Sequence, residues 1–115
     1  MELLFVISSE FDVKRILCNS LEILDTGVIS TLIDVVGSMA IVTNDPLGRK
    51  MITINLQSTF IQHCFVNEQI FIKSITEKID KNIAFSKTEM YNKRGDICYK
   101  GNTVMNLIDE SHPFI

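Results

Sequence analysis

One segment constrains this chain more than any other: Asp25 to Asn44, DTGVISTLIDVVGSMAIVTN. From Thr26 to Asn44 its only charged side chain is Asp34. Val28, Ile29, Leu32, Ile33, Val36, Met39 and Ala40 recur at steps of three and four, the spacing of one apolar helical face. A second stripe at the same spacing holds Gly27, Ser30, Thr31, Asp34, Gly37, Ser38 and Ile41. Its small residues allow another backbone or a ligand to come close. Asp25 is a good N-cap, and Asn44-Asp45-Pro46-Leu47-Gly48 is a strong stop. A helix this apolar on every side belongs in a core or between subunits.

Asp34 is the candidate functional residue. An aspartate on a helix is ordinarily a solvated charge, because Asp is rarely fully buried. This one has Ser30 and Ser38 one turn away on either side and no ionic neighbour within its segment. A carboxylate in such a place tends to be there for its chemistry.

The flanking sequence changes period. Residues 2–7, ELLFVI, open a strand expected to run through Phe11. VKRIL suits a short helical turn, and CNSLEILD connects it to the helix. After the helix the period becomes two. In Met51–Ile61, Ile52, Ile54, Leu56 and Phe60 fall on one face, expected to meet a core, with Thr53, Asn55, Gln57 and Thr59 opposite. Further strands follow at Gln69–Ile79, Ile83–Tyr91 and Ile97–Ile108, separated by the turns Asp80-Lys81-Asn82 and Asn92-Lys93-Arg94-Gly95-Asp96. Asp109–Ile115 reads as a tail. The expected class is α+β, a single domain over residues 1–115, with an antiparallel meander curling around one long helix. One helix covers one sheet face only, so the other face and the edge strand call for an oligomer.

Bulk properties narrow the partners. With 115 residues, 46% hydrophobic and 22% charged, the chain has material for one modest core. A net charge of -3, without a basic run or tryptophan, leaves no electrostatic footprint for nucleic acid. Cys18, Cys64 and Cys98 lack paired metal-ligand spacing and read as reduced thiols of a cytoplasmic protein. The amino-terminal apolar run is short and carries Glu2, so neither a leader nor a membrane span is expected. Nothing in the pattern calls for a metal or a cofactor.

The stretch Leu24-Asp25-Thr26-Gly27-Val28-Ile29-Ser30-Thr31-Leu32-Ile33-Asp34 resembles the start of the central helix in hotdog-fold acyl-CoA thioesterases. The likeness is greatest to their phenylacetate-pathway-type branch. In that family the helix opens with His-Gly-Gly, and the catalytic aspartate follows the second glycine by seven residues. The match runs without a gap from about Cys18 to Lys93. It implies that Asp34 activates water or attacks the thioester, and that Asn19 helps to position the reacting group. It implies that Thr53 stands for a hydroxyl that orients water and that the family brings across a dimer interface. Thr26 stands where a backbone amide polarises the carbonyl, with Gly27 beside it at the helix start. The implied ligand is an acyl-CoA, in a homodimer or homotetramer concerned with lipid metabolism. Its acyl chain would lie along the Ser30 and Ser38 stripe, with Asp25 at the mouth. Lys50, Lys93, Arg94 and Lys100 are candidates for the CoA phosphates.

The chain departs from the family pattern at the helix start, where His-Gly-Gly is Asp25-Thr26-Gly27. Asp25 is positioned to cap the amides an oxyanion would need, and its charge opposes a developing oxyanion. In the loop after the first long strand, His63 replaces a common proline and Asn67 a glycine; a lone loop histidine is ordinarily a surface residue. These changes motivate a competing reading, a hotdog scaffold that binds acyl-CoA or a protein partner without hydrolysis. A hotdog dehydratase is a third reading, without an evident histidine in the place that chemistry uses.

Overall fold

A computed structural model describes residues 6–108. Strand β1 spans Ile7–Asp12, a 3₁₀ turn Arg15–Leu17, helix α1 Thr26–Asn44, β2 Lys50–Phe60, β3 Gln69–Ile79, β4 Ile83–Tyr91 and β5 Ile97–Ile108. Residues 2–5 of the expected first strand and the Asp109–Ile115 tail lie outside the described residues. At the helix start Asp25 is extended, its Oδ2 accepts from Gly27 N at 3.0 Å, and its carbonyl accepts from Ile29 N at 3.1 Å. At the other end the Asp45 N–H still reaches Ile41 O at 2.8 Å, and Pro46 then ends the run.

All five strands are antiparallel, in the order β1-β3-β4-β5-β2. Only β3, β4 and β5 form the expected meander. Strand β2 does not pair with β3; it crosses to the far edge and pairs with β5. The link from Ile61 to Glu68 is too long for a tight hairpin, and its polar backbone finds partners along the way. Ile61 N and Gln62 N both donate to Cys98 O, while Leu24 N donates to Cys64 O. The link is thereby stitched across the end of the sheet, beneath the start of α1.

Helix α1 lies along one face of this curved sheet and contacts every strand. Its buried face is Ile29, Ile33, Val36, Gly37, Ala40, Ile41 and Asn44. The sequence placed Met39 on that face and Gly37 and Ile41 on the small stripe; in the structure Met39 is 50% exposed and the other two are buried. Gly37 accounts for the turned face. A Cβ there would stand 2.7 Å from Ser86 Oγ and 2.8 Å from Thr103 Oγ1, so a bare Cα lets the helix settle onto β4 and β5. Short hydroxyls floor the contact: Thr103 Oγ1 donates to Ile33 O at 3.4 Å, Asn44 Nδ2 to Thr76 Oγ1 at 3.0 Å, and Ser74 and Thr88 pair at 2.9 Å.

The alternation expected along β2 is broken by a β-bulge. Thr53 pairs with Met105 but Asn55 pairs with Val104, which leaves Ile54 as the extra residue. Paired residues share a face, so Met51 and Thr53 face α1 before the bulge, and Leu56, Ser58 and Phe60 face it after. The side chains of Ile52 and Ile54, expected in the core, are both 55% exposed.

Candidate active site

Asp34 sits on the third turn of α1, where the helix turns from the sheet towards the β2 edge. Thr53 Oγ1, on the bulged stretch of β2, donates to Asp34 Oδ1 at 2.7 Å. The same hydroxyl lies 3.1 Å from Met105 Sδ on β5. Ser38 Oγ donates to Asp34 O at 2.6 Å, which fastens the turn without engaging the carboxylate. Ser30 turns to β2 instead, with its Oγ 3.3 Å from Ser58 Oγ. Asp34 and Ser38 line an open groove of about 440 Å³ with Val35, Met39, Val42 and Thr43. The carboxylate thus has one strong donor, no ion-pair partner among the described residues, and apolar walls.

A second pocket, of about 300 Å³, lies at the amino-terminal end of α1. Asn19, Leu21, Ile23, Leu24, Thr26, Ile29, Phe60, His63 and Tyr99 enclose it. Asn19 Oδ1 accepts from Leu21 N at 2.9 Å and Ile23 N at 3.3 Å, which holds its own loop and leaves the Nδ2 donors free to turn inward. Gly27 N is taken by Asp25, but the Thr26 N–H has no acceptor among the described residues. Phe60 packs edge-on against Tyr99, with centroids 6.1 Å apart. Tyr99 Oη in turn accepts from Cys64 N at 2.9 Å. Burial, with the Cys64 thiol close by, pushes the Tyr99 phenol well above its usual range. Burial, reinforced by the neighbouring Cys98, pushes the Cys64 thiol up to about 12. A thiol held protonated is no nucleophile at neutral pH, so Cys64, between His63 and the Tyr99 hydroxyl, does not supply one.

No protein-family model matches the chain, and no curated protein matches it by sequence. Solved structures match it by shape. Thioesterase superfamily member 2 from zebrafish superposes with a TM-score of 0.85 at 23% identity, covering 89% of this chain and 74% of that one. The mouse protein of the same name gives 0.82 at 23% identity, covering 89% and 80%. A hypothetical thioesterase from Streptococcus pneumoniae, solved with coenzyme A, gives 0.82 at 15% identity, covering 89% and 77%. The chain has the hotdog fold.

Within this hotdog fold the expected site residues fall into two groups. Thr53 and Asp34 meet within one chain, where the resemblance brought the hydroxyl from a second subunit; the bulge at Ile54 turns Thr53 towards its own helix. Asn19 and Thr26 share the other pocket. Thr26 precedes Asp34 by two turns of helix, roughly 12 Å along the axis at 1.5 Å per residue. Asp25 and Gly27 are occupied with each other as a cap. Lys50 and Lys100 bring no charge to either cavity. Lys100 pairs with Thr59 and Glu89 on the sheet face opposite α1, and Lys50 lies at the far end of β2. Arg94 Nε reaches Asp96 Oδ2 at 3.3 Å within the exposed β4–β5 turn.

Sequence reasoning missed Tyr99, Phe60 and Met105 as parts of these sites. Phe60 was placed on a core face, and the other two carried no sequence signal that tied them to the helix. Among the described residues no group of three His, Cys, Asp or Glu is gathered as a metal site. By length and composition α1 could cross a membrane, with a mean hydropathy of 1.7; in this fold its central face is buried on the sheet instead.

Proposed function

We propose that this protein is an acyl-CoA thioesterase, hydrolysing a fatty or aryl acyl-CoA to the free acid and CoA. The observation that carries the reading is the Asp34–Thr53 pair: a carboxylate with a 2.7 Å hydroxyl partner, lining an apolar groove. Asp34 acts as the general base on water, or as the nucleophile, and the Thr53 hydroxyl fixes its orientation. The Thr26 N–H, at the positive end of α1, receives the developing oxyanion, and Asn19 Nδ2 supports it. The fold shared with thioesterase superfamily member 2, and with a hypothetical thioesterase solved with coenzyme A, supports the same reading.

The base and the oxyanion donors are too far apart in one chain to act on one carbonyl carbon. A second copy supplies the missing half. Val35, Met39 and Val42 on α1 are 48%, 50% and 55% exposed, beside the open edge of β2. An apolar helix face next to an unpaired strand edge is a surface that soluble chains cover. Pairing through it brings Asp34 of one copy towards the Thr26 pocket of the other, in a homodimer or a dimer of dimers.

The test is free-thiol release from short, medium and long acyl-CoAs, run beside Asp34→Asn. Hydrolysis by the wild type should fall by about 10² or more in the variant, with the assembly intact. Activity unchanged in Asp34→Asn would remove Asp34 from the mechanism. One contact favours the binding scaffold as a second reading: Asp25 Oδ2 already occupies Gly27 N at the helix start. That reading gains if the protein binds acyl-CoA, releases no thiol at any chain length, and becomes active when Asp25 and Thr26 are changed to His and Gly.

A further inference from the structure

The amino-terminal pocket contains a group that the mechanism above does not use. His63 lines it together with Asn19 and Thr26. The loop that carries it is pinned on both sides. Ile61 N and Gln62 N donate to Cys98 O at 2.9 and 3.1 Å, and Cys64 N donates to Tyr99 Oη at 2.9 Å. Cys64 O accepts from Leu24 N at 2.8 Å, Phe65 bridges to Ile23, and Val66 N reaches Glu22 O at 3.0 Å. An exposed side chain on so fastened a backbone stays at the pocket rim. Among the described residues no hydrogen bond or ion pair engages its imidazole, so both ring nitrogens are free.

On the thioesterase reading, this pocket holds the carbonyl oxygen, and the thioester sulfur is bonded to the same carbon. Any side chain lining a pocket this small is therefore placed near the leaving group. Of the lining residues only His63 and Tyr99 carry an ionisable proton, and burial makes the Tyr99 phenol a weaker acid than usual. Imidazole is the side chain that exchanges a proton near neutral pH. We propose that His63 is the general acid that protonates the departing thiolate.

The water oxygen forms the new C–O bond as Asp34 of the second copy takes its proton, and the carbonyl π pair moves onto oxygen beside the Thr26 N–H. That pair returns as the C–S bond breaks, and sulfur leaves with the bonding electrons. Sulfur takes the proton from His63, which yields the thiol and the free acid; Asp34 then gives up its proton to solvent and His63 recovers one from it.

The inference rests on the thioesterase reading, and one comparison separates the two. Wild type and His63→Gln are assayed on two thioesters with one acyl group, the CoA ester and the 4-nitrothiophenyl ester. The aryl thiolate is a much weaker base than the CoA thiolate and gains far less from protonation as it departs. His63→Gln should lose about 10²-fold in kcat on the CoA ester and stay within about twofold of wild type on the aryl ester. Equal losses on both would make His63 a structural residue, and no loss on the CoA ester would remove it from the reaction; either result overturns the proposal. A wild type that cleaves neither ester overturns the hydrolase reading and this role with it.

Discussion

At the scale of single residues, the charge of Asp34 is met by one donor, Thr53 Oγ1. A hydroxyl has a single proton to give, and the ionised carboxylate outcompetes the Met105 thioether for it. Thr53→Val keeps the shape and removes that proton. A hydrogen bond to a charged group is worth about 1.5–3 kcal/mol, so kcat should fall roughly 10- to 100-fold with KM little changed. Steady-state kinetics on the best acyl-CoA checks this; a Thr53→Val enzyme at full kcat would show that the pair is structural. Asp45 offers a separate test in pH. Burial alone would raise its carboxyl, but hydrogen bonds from the Arg49 side chain and from the Arg49 and Leu47 amides more than offset this and hold it below the usual range. Its contribution to stability is therefore present above the ordinary carboxylate value of about 3.9 and is lost as pH falls below it. Urea unfolding across pH 2–6 should show a shallower acid decline for Asp45→Asn than for wild type.

Among the elements, the contact between α1 and the sheet decides where Asp34 points. Gly37 sets the approach over Ser86 and Thr103, and Gly101 does the same at Ile33, where an added Cβ would stand 2.6 Å from Gln57 O. Gly37→Ala drives a methyl into two hydroxyl-bearing side chains with little room to yield. It should cost about 1–3 kcal/mol, as overpacked sites do, read as a lower urea midpoint at unchanged slope. Activity should fall with it, since a lifted helix carries Asp34 away from Thr53. The β2 bulge acts in the same way from the other side. By inserting Ile54 it moves Thr53 onto the helix face, while the residues beyond keep their pairing with β5.

For the whole molecule, Val35, Met39 and Val42, beside the unpaired edge of β2, form an apolar area that one chain leaves open. If a second copy covers it, a charge there should separate the copies. Val42→Lys is expected to shift the protein to monomer in sedimentation, with the far-ultraviolet circular dichroism retained. Thiol release should fall with the oligomer, because the base and the oxyanion donors then never meet. A fully active monomer would show that one chain assembles the site alone.

Much of this protein could be read from its sequence. The bounds of α1, its Asp25 cap and the three later strands follow from periodicity and turn chemistry, which act within a few residues. Asp34 stood out because it was the only charge in an apolar helix. The course of β2 to the far edge, the bulge at Ile54 and the turned face of α1 depended on contacts between residues far apart in the chain. So did the gathering of Asn19, Thr26 and His63 around one pocket. Such contacts are fixed by how a bare Gly37, short hydroxyls and a stitched loop pack together. No period in the chain records that packing, and only the tertiary structure decided it.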